Sequence, residues 1–122
     1  PDGTRQWRVE TTQTLAGSRP VVAGDTVYLG SASGTLAAHA RGDGSRRWGF
    51  DADDWLVTQP AVDADANTLF CGSNDGTHYA VDTTDGSQRW SAPVGYSNTA
   101  PAFDDRYVYA PSNRGLCALS RD

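Results

Sequence analysis

The residues in this chain that could carry out chemistry are two cysteines, two histidines and two short acidic runs. Cysteine and histidine can serve as nucleophile, base or metal ligand. A zinc site, however, needs three or four such ligands gathered in one place, and a nucleophile needs a base beside it. Cys71, Cys117, His39 and His78 must therefore be judged by where the fold places them.

The acidic runs are Asp51–Asp54 and Asp63–Asn67. The second run begins like an EF-hand calcium loop, which has glycine at its sixth position and glutamate at its twelfth. Thr68 and Asn74 stand at those positions. We therefore expect residues 63–67 to form a solvated turn. The role of Asp51–Asp54 stays open, because the adjacent Trp55 belongs to no repeated motif.

The elements that position these residues follow an internal repeat. The motif Asp-Gly-(x)3-Trp occurs three times with its tryptophans 41 and 42 residues apart, and three prolines recur in phase 40 and 41 residues apart. Periods of this length indicate a repeat architecture. The landmarks are Trp7, Trp48 and Trp90, Pro20, Pro60 and Pro101, the turn glycines Gly34, Gly76 and Gly115, and Gly3, Gly44 and Gly86 of the Asp-Gly turns.

Each repeat contains short β runs separated by turn residues, the pattern of an all-β meander. Residues Thr4–Val9 are predicted to form one isolated strand ahead of the first full repeat. The runs Val27–Ser31, Leu69–Ser73 and Val108–Ser112 are apolar on both faces of the pleat. Strands of this kind are sandwiched between neighbouring sheets, so the four-stranded units must stack.

Stacked four-stranded units of roughly 40 residues are the blades of a β-propeller. The signature Ala-Val-Asp-(x)3-Gly-(x)3-Trp at residues 80–90 resembles the pyrroloquinoline-quinone-like (PQQ-like) propeller repeat, and the resemblance covers essentially the whole chain. It implies that each tryptophan docks against the neighbouring blade near the alanine of the motif. The first repeat departs from the signature at Ala40-Arg41 and the third at Ser120. The resemblance assigns the docking role to Trp7, Trp48 and Trp90, with Ala38, Ala80 and Ala118 as their partners.

The resemblance also implies that the tryptophan strand is the outermost strand of its blade. We expect a single repeat region over residues 1–122, all-β, with about three four-stranded antiparallel blades. An outer strand lies within residues 2–17, full blades span 18–50 and 58–91, and a third blade at 99–120 lacks its outer strand. Because propellers typically have 4–8 blades, the chain is expected either to be part of a longer ring, as the absence of Met also indicates, or to self-associate, for instance as two copies giving six blades.

The cysteines and histidines fall at repeat positions that the other repeats fill with packing residues. We therefore expect the cysteines to be small buried hydrophobes, in preference to a disulfide, a metal ligand or a nucleophile. The histidines are expected to pack or to make local hydrogen bonds. No residue is assigned a catalytic, cofactor-binding or metal-binding role.

The connections between blades are the part of the chain where the repeats differ. Residues 49–59 connect the first blade to the second and contain Trp55, and residues 91–99 connect the second to the third and contain Tyr96. The turns between the second and third strands of each blade lie at the same face. We predict there a mixed aromatic and polar surface suited to a protein or peptide, the alternative being that Trp55 covers its own blade. The surface comprises Trp55, Tyr96, Asn74, Asp75, Asn113 and Arg114.

The composition limits the partners that such a surface could bind. The net charge is −5 at pH 7, whereas nucleic acids and anionic membrane surfaces require clustered positive charge. No apolar run approaches the roughly 20 residues of a membrane span. We therefore expect a protein or peptide partner, with neither nucleic-acid binding nor membrane insertion.

The resemblance implies two classes of function. The first is a non-catalytic interaction or sensing platform outside the cytoplasm, without a cofactor, as in the outer-membrane assembly lipoprotein BamB or the sensor propellers attached to bacterial and archaeal kinases. The second is a piece of a quinone-dependent dehydrogenase, which uses adjacent cysteines, a calcium site with a glutamate ligand, a stacking tryptophan and a catalytic aspartate. Here the cysteines are far apart and Glu10 is the only glutamate, so those elements would have to lie outside this chain. We expect the first class.

Overall fold

In a computed structural model of the chain, β-strands form three antiparallel sheets. The structure describes residues 2–10, 19–31, 33–52, 54–56, 58–97 and 99–121, and within these ranges it contains no helix. No membrane-spanning helix therefore occurs in the described part of the chain. The predicted all-β class is confirmed.

Each sheet is a meander in which strands that follow one another in sequence are hydrogen-bonded neighbours. Blade 1 consists of β1 (Val21–Ala23), β2 (Thr26–Gly30), β3 (Thr35–Ala40) and β4 (Arg46–Asp51). Blade 2 consists of β5 (Ala61–Asp63), β6 (Thr68–Gly72), β7 (Thr77–Asp82) and β8 (Gln88–Pro93). Blade 3 consists of β9 (Ala102–Phe103), β10 (Tyr107–Ser112) and β11 (Gly115–Ser120). The fold is a partial propeller of three blades, the last with three described strands.

The turns between the third and fourth strands have the same geometry in blades 1 and 2. Gly44 and Gly86 have φ angles of 77° and 80°, values that only glycine adopts at little cost. The preceding aspartate caps the turn: Asp43 accepts hydrogen bonds from the Ser45 amide at 2.9 Å and the Ser45 hydroxyl at 2.7 Å. The register shifts by a bulge just before these turns, after Ala38 in one blade and Ala80 in the other. The repeat in sequence is thus a repeat in backbone conformation.

Blade 2 is covered on both faces. Every residue of β6 is buried, because Leu69 and Cys71 pack towards blade 1 while Phe70 packs towards blade 3. The outer faces of blades 1 and 3 have no such cover within the described residues. Leu36 on blade 1 is completely buried against blade 2, whereas its equivalent on blade 3, Leu116, is 71% exposed.

The predicted strand Thr4–Val9 is wrong: residues 2–10 are exposed and none of them belongs to a strand. A strand requires hydrogen bonds to a neighbouring strand. This segment instead reaches blade 1 through side chains: Trp7 and Val9 lie against Gly44, and the Trp7 indole donates to the Arg41 carbonyl. The rest of the predicted outer-strand region, residues 11–17, lies outside the described residues.

Candidate functional site

The repeated tryptophans make the same contact at each step along the chain. The indole Nε1–H of Trp48 donates to the carbonyl oxygen of Thr83 in blade 2 at 2.8 Å. Trp90 donates in the same way to Arg121 in blade 3 at 3.0 Å, and Trp7 donates to Arg41 in blade 1 at 2.9 Å. Each acceptor lies three residues beyond the alanine of the motif.

The motif glycines provide the surface on which these rings rest. A Cβ atom added to Gly86 would lie 2.6 Å from Cε3 of Trp48, and one added to Gly44 would lie 2.6 Å from Cε3 of Trp7. Gly3, which begins the first copy of the motif, has open space around it. The motif therefore joins consecutive blades, and its polar and aromatic groups are occupied in doing so.

The motif alanines lie beside the tryptophan of their own blade. Ala38 is the cross-strand partner of Trp48 and Ala80 that of Trp90, and both alanines are fully buried. Ala118 is exposed, because β11 has no described strand on its outer side. Each tryptophan thus contacts the next blade at residues that follow the motif alanine of that blade. The alanine itself is the small cross-strand neighbour of the tryptophan in its own blade.

On the opposite edge of the blades, the connections hold two aromatic side chains in solvent. The Trp55 side chain is 57% exposed, and its carbonyl oxygen accepts a hydrogen bond from the Asn74 amide at 2.6 Å. The next residue, Leu56, is only 5% exposed and bridges to Ser73. Leu56 therefore anchors the connection while Trp55 projects outward.

Tyr96 repeats this arrangement one blade further on. Its ring is 47% exposed, and its carbonyl oxygen accepts from the Asn113 amide at 2.8 Å. The neighbouring Val94 and Ser97 are buried. Two connections of different sequence thus present an aromatic ring at the same structural position, fixed by the same backbone hydrogen bond.

The polar members of the predicted surface lie on the turns that receive these hydrogen bonds. Asp75 accepts from the Ser73 hydroxyl and, at 2.9 Å, from the Thr77 amide, and these bonds, led by that from Ser73, lower the pKa of its carboxyl. Asp75 is therefore ionised at neutral pH. Arg114 is exposed, and its amide donates to the Ser112 hydroxyl at 3.1 Å.

The two groups of residues adjoin through the backbone. The Val94 amide donates to the Gly76 carbonyl at 2.8 Å, and a Cβ atom on Gly76 would lie 3.1 Å from the Gly95 carbonyl carbon. The second connection therefore crosses directly over the turn that carries Asn74 and Asp75. A depression of about 240 Å³ lies beside Tyr96. The structure places all six predicted residues along this edge, and their role in binding stays a prediction.

The two cysteines and two histidines lie on the strands of the blades. Cys71 is fully buried between blades 1 and 2, and burial raises the pKa of its thiol to about 12, so the prediction of a buried packing residue is confirmed there. Cys117 is a free, half-buried thiol on β11. His39 makes a local hydrogen bond through Nδ1 to the Gly44 carbonyl at 3.0 Å. His78 is 2% exposed, and neither ring nitrogen has a hydrogen-bond partner among the described residues.

The acidic runs contribute to turns and to one contact between blades. Asp63 accepts from the amides of Asp65 and Ala66, as expected of a turn. In the described part of the chain, no group of three or more His, Cys, Asp or Glu residues is placed to hold a metal ion. In the first run, Asp51 accepts from the Thr35 hydroxyl at 2.9 Å, and Asp54 accepts from the Trp55 amide at 2.7 Å.

A second contact of Asp63 was not foreseen from the sequence. Arg121 donates to its carboxylate at 2.7 Å across the boundary between blades 2 and 3, with both side chains largely buried. The guanidinium carbon lies 5.3 Å from the centre of the Phe70 ring and 5.4 Å from that of Phe103. The ion pair lowers the pKa of the Asp63 carboxyl. Aligning Arg121 with Arg41, and Asp63 with Asp104, would have drawn attention to this pair.

The comparisons with known proteins agree with this geometry. The family model described as outer membrane protein assembly factor BamB matches residues 1–122. The chain belongs to the BamB family of PQQ-like propeller proteins. BamB from Moraxella catarrhalis is similar in structure, with a TM-score of 0.78 and 29% sequence identity over 94% of this chain and 36% of that one. The chain thus spans about a third of that BamB structure.

Two computationally designed proteins share the fold. Ika8 has a TM-score of 0.73 at 21% identity and Ika4 a TM-score of 0.71 at 19% identity, each over 83% of this chain. The match covers 32% of Ika8 and 63% of Ika4. No curated protein sequence matches the chain. Membership of the BamB family therefore rests on the family model together with the BamB structure.

Proposed function

We propose that this BamB-type propeller segment is a non-catalytic module that recruits a protein or peptide through the edge carrying Trp55 and Tyr96. One observation carries the proposal: the rings of Trp55 and Tyr96 are exposed to solvent on equivalent connections. The backbone carbonyl of each residue accepts a hydrogen bond from the turn of the next blade. Exposed tryptophan and tyrosine are the side chains that most often dominate protein interfaces.

The surroundings of these rings favour recognition of a partner. Because Leu56 and Val94 are buried next to them, the backbone beneath the rings is fixed before a partner arrives, which lowers the entropic cost of association. Asn74, Asp75, Asn113 and Arg114 are exposed around them and offer hydrogen bonds of both polarities. An aromatic centre with a polar rim is the usual composition of an interface.

The reactive side chains of the described residues favour a non-catalytic role. The Cys71 thiol is buried with a raised pKa, which opposes formation of a nucleophilic thiolate. His39 hydrogen-bonds through Nδ1 to a backbone carbonyl, and the buried His78 ring has no hydrogen-bond partner among the described residues. None of these groups has the nucleophile and base arrangement that covalent catalysis requires.

The family relationship supports the same proposal at the level of the cellular role. The matching family is described as an outer membrane protein assembly factor. Such a factor acts on other proteins, and it does so outside the cytoplasm. We extend that setting to this chain, with a protein or peptide as partner. A sensing role, in which the bound partner is a signal, uses the same surface and is included in the proposal.

Selection of peptides from a display library on the immobilised chain tests the proposal. Peptides recovered on the unaltered chain should bind the double variant Trp55→Ala/Tyr96→Ala at least about tenfold more weakly, because the two rings form the centre of the site. The control is Tyr107→Ala, which removes a similarly exposed ring from a different part of blade 3. Peptides that bind all three proteins equally would contradict the proposal.

A second measurement separates the platform from a quinone-dependent enzyme segment. A ligand that binds the folded chain raises its melting temperature by mass action. We expect no shift with pyrroloquinoline quinone and calcium at saturating concentration. A clear upward shift would favour the dehydrogenase alternative.

A further inference from the structure

The two connections between blades can be aligned through their shared backbone hydrogen bond. The carbonyls of Trp55 and Tyr96 each accept from the amide of an asparagine in the turn of the next blade. In both connections a proline follows five residues later and opens the next blade. The residue after each aromatic ring therefore occupies the same position, which is Leu56 in the first connection and Ser97 in the second.

This position is filled by a large side chain in one connection and a small one in the other. Leu56 is 5% exposed and belongs to the core cluster between blades 1 and 2. Phe50 of the same cluster corresponds to Ala92 of blade 2, because they pair with equivalent residues of the neighbouring strand. At this edge, the boundary between blades 2 and 3 therefore has smaller side chains than the boundary between blades 1 and 2.

The smaller side chains accompany an open depression. Its volume is about 240 Å³. A cavity of roughly 150 Å³ in a protein core can hold benzene, so this depression has room for one aliphatic side chain. Among the described residues, none of those lining it is charged. They are Tyr96, Ser97, Thr99, Pro111, Ser112 and Asn113.

A proline takes part in forming this depression. In blade 2 the Gly72 amide donates to the Thr58 hydroxyl at 2.7 Å, and Thr58 is buried. Blade 3 has Pro111 in place of Gly72, and proline has no amide hydrogen to donate. The bond that holds the first connection onto its blade therefore cannot form in the second. Thr99, at the position of Thr58, is exposed, and the ring of Pro111 supplies an apolar wall.

The turn beside the depression also carries a positive charge. Arg114 follows Asn113 in this turn, is exposed, and forms no ion pair with any described residue. The same position of the turn in blade 2 is occupied by Asp75. Asp75 is exposed although blade 3 covers its blade, so this position faces solvent in a covered blade as well. The second connection thus combines a neutral depression with an adjacent cation.

We infer that the partner is a peptide segment that places a leucine-sized aliphatic side chain in the depression beside Ser97, with an acidic residue next to it that faces Arg114. The inference rests on the proposed function, because it names what the edge carrying Trp55 and Tyr96 binds. Leu56 shows which kind of side chain this position accommodates when it is filled. A charged side chain is disfavoured there, since the neutral lining offers it no counter-ion.

Peptides selected from a display library on the immobilised chain are the probe for this inference. We expect them to share a leucine, isoleucine or methionine with Asp or Glu beside it. Replacing that aliphatic residue by alanine in the synthetic peptide should weaken binding to the unaltered chain about tenfold or more, because its burial is lost. This measurement needs no change in the protein.

The Ser97→Leu variant tests the depression from the side of the protein. It supplies the residue that the first connection has, so it should fill the depression and weaken peptide binding about tenfold or more without lowering the melting temperature. The matched control is Ser91→Leu, the same substitution at an exposed serine of β8, which should leave the affinity unchanged.

The Arg114→Glu variant tests the charge. It should weaken binding roughly two- to fivefold at low salt, as expected for an exposed ion pair, and less at high salt because the charges are screened. A peptide in which the acidic residue is replaced by arginine should recover the affinity for this variant. Equal binding of the original peptide to both proteins at low salt would contradict the role of Arg114.

The outcomes separate this inference from the proposed function. Peptides that bind the Trp55→Ala/Tyr96→Ala variant more weakly but bind the Ser97→Leu variant normally would overturn the inference and leave the proposed function standing. Peptides that bind both variants normally would contradict the two together. Selected peptides without a common aliphatic residue, or ones that tolerate its replacement by alanine, would also overturn the inference.

Discussion

The indole N–H of Trp48 donates to the carbonyl oxygen of Thr83, 2.8 Å away in the next blade. The same ring covers Gly86, whose lack of a side chain allows the approach. A turn glycine, a backbone carbonyl and a tryptophan from the preceding blade thus form one joint. The most repeated motif in the sequence is therefore committed to architecture, and the surface that we propose for recognition lies on the connections between blades.

Replacing Trp48 by phenylalanine separates the hydrogen bond from the packing of the ring. Trp48→Phe removes the donor to Thr83 and keeps most of the apolar contact, so the free energy of unfolding should fall by about 1–3 kcal/mol. Urea unfolding followed by circular dichroism gives this value. Trp55→Phe is the control, because the Trp55 ring is 57% exposed and its indole nitrogen donates to none of the described residues. Equal stability of the Trp48→Phe variant and the unaltered chain would show that the bond contributes nothing.

The glycine of the joint can be tested by adding one methyl group. At Gly86 an alanine meets both a φ of +80° and the Trp48 ring at 2.6 Å. Gly24 has a φ of +60° with open space around it, and Gly42 has neither constraint. Alanine should therefore be nearly neutral at Gly42, cost about 1–2 kcal/mol at Gly24, and cost more than that at Gly86. A Gly86→Ala variant no less stable than Gly24→Ala would contradict the proposed packing of Trp48 on this turn.

The unpartnered histidine predicts a dependence of stability on pH. Burial lowers the pKa of His78, so below the unfolded-state pKa of about 6.5 the unfolded chain binds more protons than the folded one. The free energy of unfolding should therefore fall as the pH is lowered from about 6.5 towards the depressed folded-state pKa, below which this contribution no longer changes.

The His78→Leu variant isolates that contribution. Blades 1 and 3 have leucine at this position, so the substitution suits the fold, and His39 is common to both proteins. The difference in unfolding free energy between the His78→Leu variant and the unaltered chain, measured by urea titration between about pH 5 and 8, should grow as the pH falls. A difference that stays constant over that range would mean that His78 is not held neutral.

The blades could be predicted because their signals are local and repeated. Pro60, Gly76 and Trp90 each mark a strand start, a turn or a joint by residue type alone, and their common phase fixes the number of sheets. The strand expected at Thr4–Val9 failed for the opposite reason. A strand at these residues would need a neighbouring strand that is distant in sequence. The period of the repeat does not predict whether such a strand lies beside it.

The candidate site was predicted in position but not in detail. The disagreement between repeats pointed to Trp55 and Tyr96, yet their shared backbone anchor depends on which turn lies beneath each connection. The pair of Arg121 and Asp63 was missed because it requires the side-chain directions of two adjacent blades. Sequence patterns locate surfaces of this kind more readily than contacts between sheets.

The central claim is that Trp48 is structural, whereas Trp55 serves recognition. It is tested most directly by the free energies of unfolding of the Trp48→Ala and Trp55→Ala variants, measured side by side in urea. Trp48 is 9% exposed and Trp55 57% exposed. We predict a loss of about 3–5 kcal/mol for the Trp48→Ala variant, the usual cost of deleting a buried tryptophan, and a change within about 0.5 kcal/mol for the Trp55→Ala variant. Comparable losses in the two variants would contradict the account, because they would make Trp55 part of the blade structure.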